Sequence, residues 1–288
     1  NLHSAMDLQY PNMTVFPYTD YFNLGFLLNP KITRALFIGG GGFTGPKQFL
    51  RDYRNVTVDV VEVDPAVISV AEEYFAVNAT NPRLHIYNND GRVFLQDTRQ
   101  RYDLIVLDAY SRSYVPFHLM TLEFFELASS HLTSNGIVIS NLISGVEAGN
   151  DQLLTAEVNT MRVVFPNVYV FPVEGTLYPD TQNVEILATN SAGHLTEGDF
   201  EQFAASSTTV RAPGMTDYVT NYMVVQPNNS PVLTDDYAPV ENLISPISDQ
   251  PLTMDQQPLI SQGEALRVAV GLALVVAVCV ILAKKKIL

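Results

Sequence analysis

The chain has 288 residues, with 30 acidic against 16 basic side chains and a net charge of −14. A surface this acidic repels phosphates, which disfavours DNA or RNA as a partner and favours a small cationic molecule. The hydrophobic fraction of 47% excludes disorder for most of the chain, and the single cysteine, Cys279, excludes an intrachain disulfide and a cysteine zinc site.

Short apolar runs alternate with amphipathic segments along residues 31–243, which predicts a parallel sheet covered by helices. The runs predicted as strands are 35–38, 56–63, 84–87, 104–107, 137–140, 168–171 and 184–188. The segments predicted as helices are 46–53, 65–75, 92–98, 120–131, 151–164 and 197–205. We therefore predict a Rossmann-like, doubly wound α/β domain with a mostly parallel sheet, preceded by an N-terminal extension over residues 1–30.

The C-terminal part of the sequence differs in composition from this domain. Residues 244–263 are rich in Ser, Pro, Gln and Asp and are predicted to form a linker. The segment 264–284 is long and apolar enough to predict a transmembrane helix, with Arg267 as the only charge between Ala265 and Ala283. The lysines that follow favour the cytoplasm, which would place the folded domain outside, whereas substrate supply favours a cytoplasmic domain. The orientation stays open.

In a doubly wound sheet, ligands bind beyond the carboxyl ends of the strands. Four glycines, Gly39–Gly42, follow the first predicted strand and allow the backbone to approach a ligand closely. Glu62 ends the second strand, about 20 residues later, where a carboxylate can accept hydrogen bonds from ribose hydroxyls. Asp64 is predicted to cap the helix that begins at Pro65.

Further acids follow the third and fourth predicted strands. Asp90 is placed to meet an adenine amino group, or alternatively to cap a helix. Asp108 suits a positive charge or a proton that is to be removed, and it suits a phosphate poorly. The segment 40–45 also fits Gly-x-Gly-x-x-Gly, which keeps a nicotinamide-dependent enzyme as an alternative from the residues alone.

Several segments together resemble the spermidine synthase (polyamine aminopropyltransferase) family: Ile-Gly-Gly-Gly at 38–41, Glu62-Val-Asp64, Asp90-Gly91 and Tyr102-Asp-Leu-Ile-Val-Leu-Asp108. The resemblance covers about residues 1–190, and the segment 234–241 resembles a signature of the membrane-associated branch. It implies transfer of an aminopropyl group from decarboxylated S-adenosylmethionine to a diamine such as putrescine, without a metal. A homodimer is an expectation from the resemblance alone.

The resemblance also implies roles for individual residues. Asp108 would be the general base, and Tyr18 and Asp20 would border the diamine. The residues implied to bind the sulfonium nucleoside are His3, Gly39, Gly40, Gly41, Glu62, Asp90, Gly91 and Pro116. Asp20, Asp235, Asp236 and Glu241 are expected to supply amine contacts if the C-terminal segment folds over the cleft.

The sequence departs from the family pattern at three amine contacts. Gly42 and Ser111 stand where the family carries acids, and Asn23 stands where it carries a histidine. Two alternatives therefore stay open: a methyltransferase that uses ordinary S-adenosylmethionine, and a non-catalytic, membrane-tethered nucleoside-binding domain. The scattered histidines have no metal-ligand spacing, which predicts no zinc site, and the pair Phe124-Phe125 is predicted to lie in the core.

Overall fold

The structure is a computed structural model that describes residues 4–109, 116–178 and 181–244. His3, Ser111, the predicted membrane helix over 264–284 and all of the predicted linker except Ile244 lie outside the described residues. None of the helices within the described ranges combines the length and the hydrophobicity of a membrane span.

The strands of the described residues form one seven-stranded sheet. They are β1 Arg34–Ile38, β2 Thr57–Glu62, β3 Leu84–Asn88, β4 Tyr102–Leu107, β5 Leu132–Ser144, β6 Asn167–Pro172 and β7 Gln182–Thr189. Their order is β3-β2-β1-β4-β5-β7-β6. The first five strands are parallel, whereas β7 runs antiparallel to both β5 and β6. From β1 the chain continues outward through β2 and β3 on one side, and it returns to the other side of β1 with β4. The strand order therefore reverses between β1 and β4, and their carboxyl ends flank this switch point.

The helices of the described residues are α1 Tyr18–Tyr21, α2 Gly25–Leu28, α3 Thr44–Asp52, α4 Pro65–Tyr74, α5 Gly91–Asp97, α6 Leu122–Ser130, α7 Gln152–Val164, α8 Glu197–Ser206, α9 Met215–Tyr218 and α10 Val240–Leu243. Short 3-10 helices cover Phe22–Leu24, Phe117–Leu119 and Val219–Asn221. Each helix predicted from the sequence is present within about two residues at either end. The mostly parallel, doubly wound sheet is confirmed.

Two carboxylates start helices that follow strands of the sheet. The Asp64 side chain accepts a hydrogen bond from the Ala66 amide at 2.8 Å and caps α4, as predicted. The Asp90 side chain accepts from the Arg92 and Val93 amides at 2.9 and 3.0 Å and caps α5. Such caps satisfy backbone N–H groups that have no partner inside the helix.

Each face of the sheet is covered by its own apolar layer. One layer includes side chains of α5, α6 and α7, and it contains Phe124 and Phe125, both fully buried as predicted. The other layer lies under the N-terminal helices, α3 and α8. Side chains alternate between the two faces along a strand, so Leu104 and Val106 of β4 belong to the second layer. The same alternation directs Asp108, just after β4, toward the face covered by the N-terminal helices.

A buried acid joins four strands on the first face. Asp59, in the middle of β2, is fully buried. It accepts hydrogen bonds from the Arg34 guanidinium of β1 at 2.7 Å and the Tyr102 hydroxyl of β4 at 2.9 Å. The Nδ1 atom of His85 in β3 lies 2.8 Å from its other oxygen. This set of four residues is the Asp59 cluster.

Candidate active site

The turn after β1 requires glycine because two strand ends approach each other there. Gly39 has a φ of +99°, and its amide donates to the Val61 carbonyl at 2.9 Å. A Cβ atom at Gly39 would collide with the carbonyl oxygen of Asp108. Gly41 also has a positive φ, +48°. The glycines therefore allow the turn to pack directly against the end of β4, and the Ser4 hydroxyl accepts a hydrogen bond from the Gly42 amide at 2.9 Å.

Glu62 is held against this glycine turn. One carboxylate oxygen accepts from the Gly40 amide at 2.8 Å, and the other accepts from the Asp64 amide at 2.9 Å. The side chain is mostly buried at the end of β2. The structure thus brings the predicted ribose-binding acid and the predicted glycine turn together.

Asp90 lies one strand further along the same edge of the sheet. Its second oxygen is 3.0 Å from Nε2 of His118. Burial alone would raise the pKa of Asp90, but hydrogen bonds from the Val93 amide, His118 and the Arg92 amide lower it overall. A Cβ atom at Gly91 would collide with the Ile38 side chain, which shows how closely α5 approaches the end of β1.

Pro116 precedes a 3-10 helix at the end of the described β4–α6 connection. It is buried, and its carbonyl accepts from the Leu119 amide at 2.8 Å. His118 belongs to this 3-10 helix and lies 3.0 Å from Asp90. Pro116 and Asp90 therefore border the same part of the sheet edge.

The C-terminal segment packs against the Asp90 side of this edge. Asp235 accepts hydrogen bonds from the Arg92 guanidinium and the Thr121 hydroxyl, both at 2.7 Å. The segment turns between Thr234 and Tyr237, which form an isolated bridge. Asp236 and Glu241 are exposed. Within the described residues, no hydrogen bond joins these three acids to Asp108 or Tyr18.

Asp108 lies half-buried just after β4, between two hydrogen-bond donors. The Asn141 amide donates to one oxygen at 2.9 Å, and the Tyr18 hydroxyl donates to the other at 3.4 Å. Burial raises the pKa of Asp108 to about 7, although these two hydrogen bonds act in the opposite direction. A carboxylate with such a pKa can accept a proton near neutral pH.

The two N-terminal residues predicted to border an amine have different positions. Burial, together with the charges of Asp108 and Glu185, raises the pKa of Tyr18 well above its ordinary value, so its hydroxyl stays protonated and donates. Asp20 accepts instead from Gln48 at 2.6 Å and from the Tyr218 hydroxyl at 3.3 Å. The structure therefore brings Tyr18, but not the Asp20 carboxylate, into hydrogen-bond contact with Asp108.

Two polar residues of the neighbouring strands were not predicted from the sequence. Asn141 of β5 positions Asp108, and its own side-chain oxygen accepts from Asn183 of β7 at 2.8 Å. Glu185 of β7 is fully buried on the same face. A detectable signal existed for Glu185, since it is the only charged residue in the apolar run 184–188. In the part of the chain that the structure describes, no group of side chains has the composition of a metal site.

The fold defines the class of protein as Rossmann-like α/β. Its sheet has an antiparallel strand, β7, next to the fifth parallel one. The structure is similar to that of a probable spermidine synthase from Corynebacterium glutamicum, with a TM-score of 0.61, 18% sequence identity and coverage of 78% of this chain and 82% of the other.

The family follows from the sequence comparison. The spermine/spermidine synthase domain matches residues 18–192, and the chain belongs to this family. A polyamine aminopropyltransferase from Vibrio vulnificus is 37% identical over 162 residues, covering 55% of this chain and 52% of the relative. Putrescine N-methyltransferase 2 from Nicotiana tabacum is 30% identical over 188 residues, covering 59% and 52%. The chain thus spans about half the length of these curated relatives.

Proposed function

We propose that the protein transfers an aminopropyl group from decarboxylated S-adenosylmethionine to a diamine such as putrescine and releases methylthioadenosine. Family membership supports this activity. The observation that carries it is the half-buried Asp108 carboxyl, whose pKa is raised to about 7 and which contacts Tyr18 and Asn141 beside the glycine turn.

The strand ends fit the nucleoside part of this donor. A Cβ atom at Gly39 or Gly40 would collide with the Asp108 carbonyl or the Phe43 ring, so the glycine turn packs tightly against the ends of β2 and β4. Glu62 is fixed by two backbone amides and has further lone pairs for ribose hydroxyls. In this proposal Asp90, Gly91 and Pro116 border the adenine, and His3 stays a predicted donor contact. The bound donor supplies a propyl carbon that its sulfonium group activates.

Asp108 performs the proton transfer in this reaction. The amine nitrogen forms a bond to the propyl carbon, the carbon–sulfur bond breaks, and its electron pair stays on the sulfur of methylthioadenosine. Asp108 accepts the proton that the nitrogen loses. An ammonium group ordinarily has a pKa of about 10, so the proton moves to Asp108 as the new bond forms rather than before it. Tyr18 and Asn141 hold the carboxylate in place.

The product of the full chain tests the proposal. Incubation with decarboxylated S-adenosylmethionine and putrescine should yield methylthioadenosine only when the amine is present. With ordinary S-adenosylmethionine and putrescine, S-adenosylhomocysteine should not form, and its formation would identify the methyltransferase alternative. Nucleoside binding without either product would identify the non-catalytic alternative.

Asp108→Asn tests the assigned base. It should lower kcat on the order of 10²- to 10⁴-fold, because the amide cannot accept the proton, while donor affinity stays within about twofold. Asp103→Asn is the matched control, because Asp103 lies at the opposite end of β4 and is hydrogen-bonded to Thr33 and Thr133. Full activity of Asp108→Asn in an initial-rate assay would exclude Asp108 as the base.

We further propose that the segment 264–284 attaches this enzyme to a membrane, as its composition predicts. Extraction of membranes with alkaline carbonate should leave the full chain in the pellet and release a chain that ends at residue 244. Protease accessibility of the folded domain in sealed vesicles would then give its side. A homodimer is tested by light scattering of the shortened chain.

A further inference from the structure

Glu185 is a buried acid with no partner among the described residues. Its side chain is fully buried, and neither carboxylate oxygen accepts a hydrogen bond. None of the salt bridges in the described residues includes it. Leaving a buried polar group unpaired costs about 1 to 3 kcal/mol, and more for a charged one. Such a group therefore points to a partner other than the residues that the structure describes.

The sheet places Glu185 in one row with Asp108 and Asn141. Leu107 pairs with Ser140, so the next residues, Asp108 and Asn141, lie side by side. Asn141 pairs in turn with Glu185 on β7. The three residues occupy adjacent strands, so about 10 Å separates the backbones at the two ends of the row.

All three side chains of this row project from the same face of the sheet. Leu187, two residues after Glu185, belongs to the apolar layer under the N-terminal helices, and Ile139 belongs to the same layer two residues before Asn141. Tyr18 reaches Asp108 from that side. The two carboxyl groups thus lie at opposite ends of one enclosed polar row, with Asn141 between them.

We infer that Glu185 binds the distal ammonium group of a diamine whose reacting nitrogen lies beside Asp108. The inference rests on the proposed function and identifies a residue that selects the acceptor. Gly42 and Ser111 stand where the family pattern has acids. In this inference the carboxylate of Glu185, on β7, takes over their contact with the amine.

The surroundings of Glu185 favour a cation. Burial, followed by the charges of Asp108 and Glu157, raises the pKa of Glu185 well above its ordinary value. Among the described residues, the ionisable groups that interact with it are these two acids with Tyr18 and Tyr21 of α1, and none of the four is basic. A diammonium ligand would compensate this buried acid, whereas a monoamine would leave Glu185 unpaired.

Glu185→Gln tests the inference on the full chain. The KM for putrescine should rise on the order of 10- to 100-fold, while kcat and the KM for the donor stay within about threefold. The preference for putrescine over butylamine, which has the same carbon chain and one nitrogen, should fall by a similar factor. Glu157→Gln is the matched control, because Glu157 is also fully buried with an unpaired oxygen but contacts Ser140 on the other face. Because Glu157 affects Glu185 only through its charge, from the other face of the sheet, this variant should change the amine KM by less than about threefold.

Glu185→Asp provides a second variant that keeps the charge. Its carboxylate is one methylene shorter, so the preference should shift from putrescine toward cadaverine, which is one carbon longer. Thermal unfolding of each variant checks that it folds. An unchanged putrescine KM in Glu185→Gln, together with an unchanged chain-length preference in Glu185→Asp, would overturn the inference.

Binding of putrescine, measured by calorimetry with methylthioadenosine present, separates this inference from the proposed reaction. If the unmodified chain binds putrescine without transferring a group, the proposed reaction fails, and loss of binding in Glu185→Gln still supports the inference. If the unmodified chain binds no putrescine, or the variant binds it equally well, the inference is wrong.

Discussion

Asp108 and Asn141 determine how activity should depend on pH. Burial raises the pKa of Asp108 to about 7, and the hydrogen bond from Asn141 lowers it against that effect. Since Asp108, the proposed base, must be ionised to accept a proton, kcat/KM should increase as the pH rises through about 7 and level off above it.

Asn141→Leu makes this prediction specific. The substitution removes the hydrogen bond that favours the ionised carboxylate, so the rising limb of the pH–rate profile should move to higher pH. The profile of Asn183→Leu should move less, because Asn183 contacts Asn141 and not Asp108. If the rising limb of the pH–rate profile lies at the same pH in Asn141→Leu as in the unmodified chain, Asp108 does not determine the profile.

At the scale of elements, the Asp59 cluster joins β1, β2, β3 and β4 through one buried carboxylate. Asp59→Asn should lower the free energy of unfolding by about 2 to 4 kcal/mol, because Arg34 and its neighbours lose a charged acceptor. Denaturant unfolding followed by circular dichroism measures this change. Asp52→Asn is the control, since its partner Arg51 is the adjacent, exposed residue. Exposed ion pairs of this kind contribute at most about 1 kcal/mol to stability. Equal effects of the two substitutions would contradict the assigned role.

The same elements show what the sequence could predict. Apolar runs such as 35–38 and 104–107 predict strands because buried parallel strands are apolar on both faces. The glycine turn, Glu62 and Asp108 could be predicted as neighbours, since they immediately follow strands of one sheet. The direction of β7 could not, because side chains alternate in the same way in parallel and antiparallel strands.

The partnership of Asn141 and Glu185 could not be predicted for a related reason. It depends on the register between β5 and β7, and a shift of one residue would direct Glu185 to the opposite face. The N-terminal helices α1 and α2 are only four residues each, too short for a helical period to be read. Their position over Asp108 depends on tertiary packing with the sheet.

At the scale of the whole molecule, buried acids make the fold sensitive to pH. Burial raises the pKa of Glu157 from 4.5 to about 7, that of Asp108 from 3.8 to about 7, and that of Glu185 well above 4.5. At a pH between the ordinary and the raised pKa of each acid, the folded state holds a proton that the unfolded chain has released. Stability should therefore fall as the pH rises from about 4 to about 7.

Glu157→Gln tests this dependence and leaves the three side chains of the row at the strand ends in place. The amide oxygen can still accept the hydrogen bond from Ser140. At pH 8 the variant should be more stable than the unmodified chain by about 1 to 3 kcal/mol, and at pH 4 the two should be equal. Denaturant midpoints measured across this range provide the comparison, and parallel curves for the two proteins would refute the prediction.

The insertion of β7 between β5 and β6 has a consequence for biosynthesis. While the chain emerges from the ribosome, β1 to β5 are complete before β6, which has no neighbour in the sheet until β7 arrives. The edge proposed to bind the nucleoside, built from the ends of β1 to β4, is therefore encoded before Glu185 is translated. A nascent chain halted shortly before Gln182 would contain the residues proposed to bind the donor and would lack the strand that carries the residue proposed to bind the acceptor.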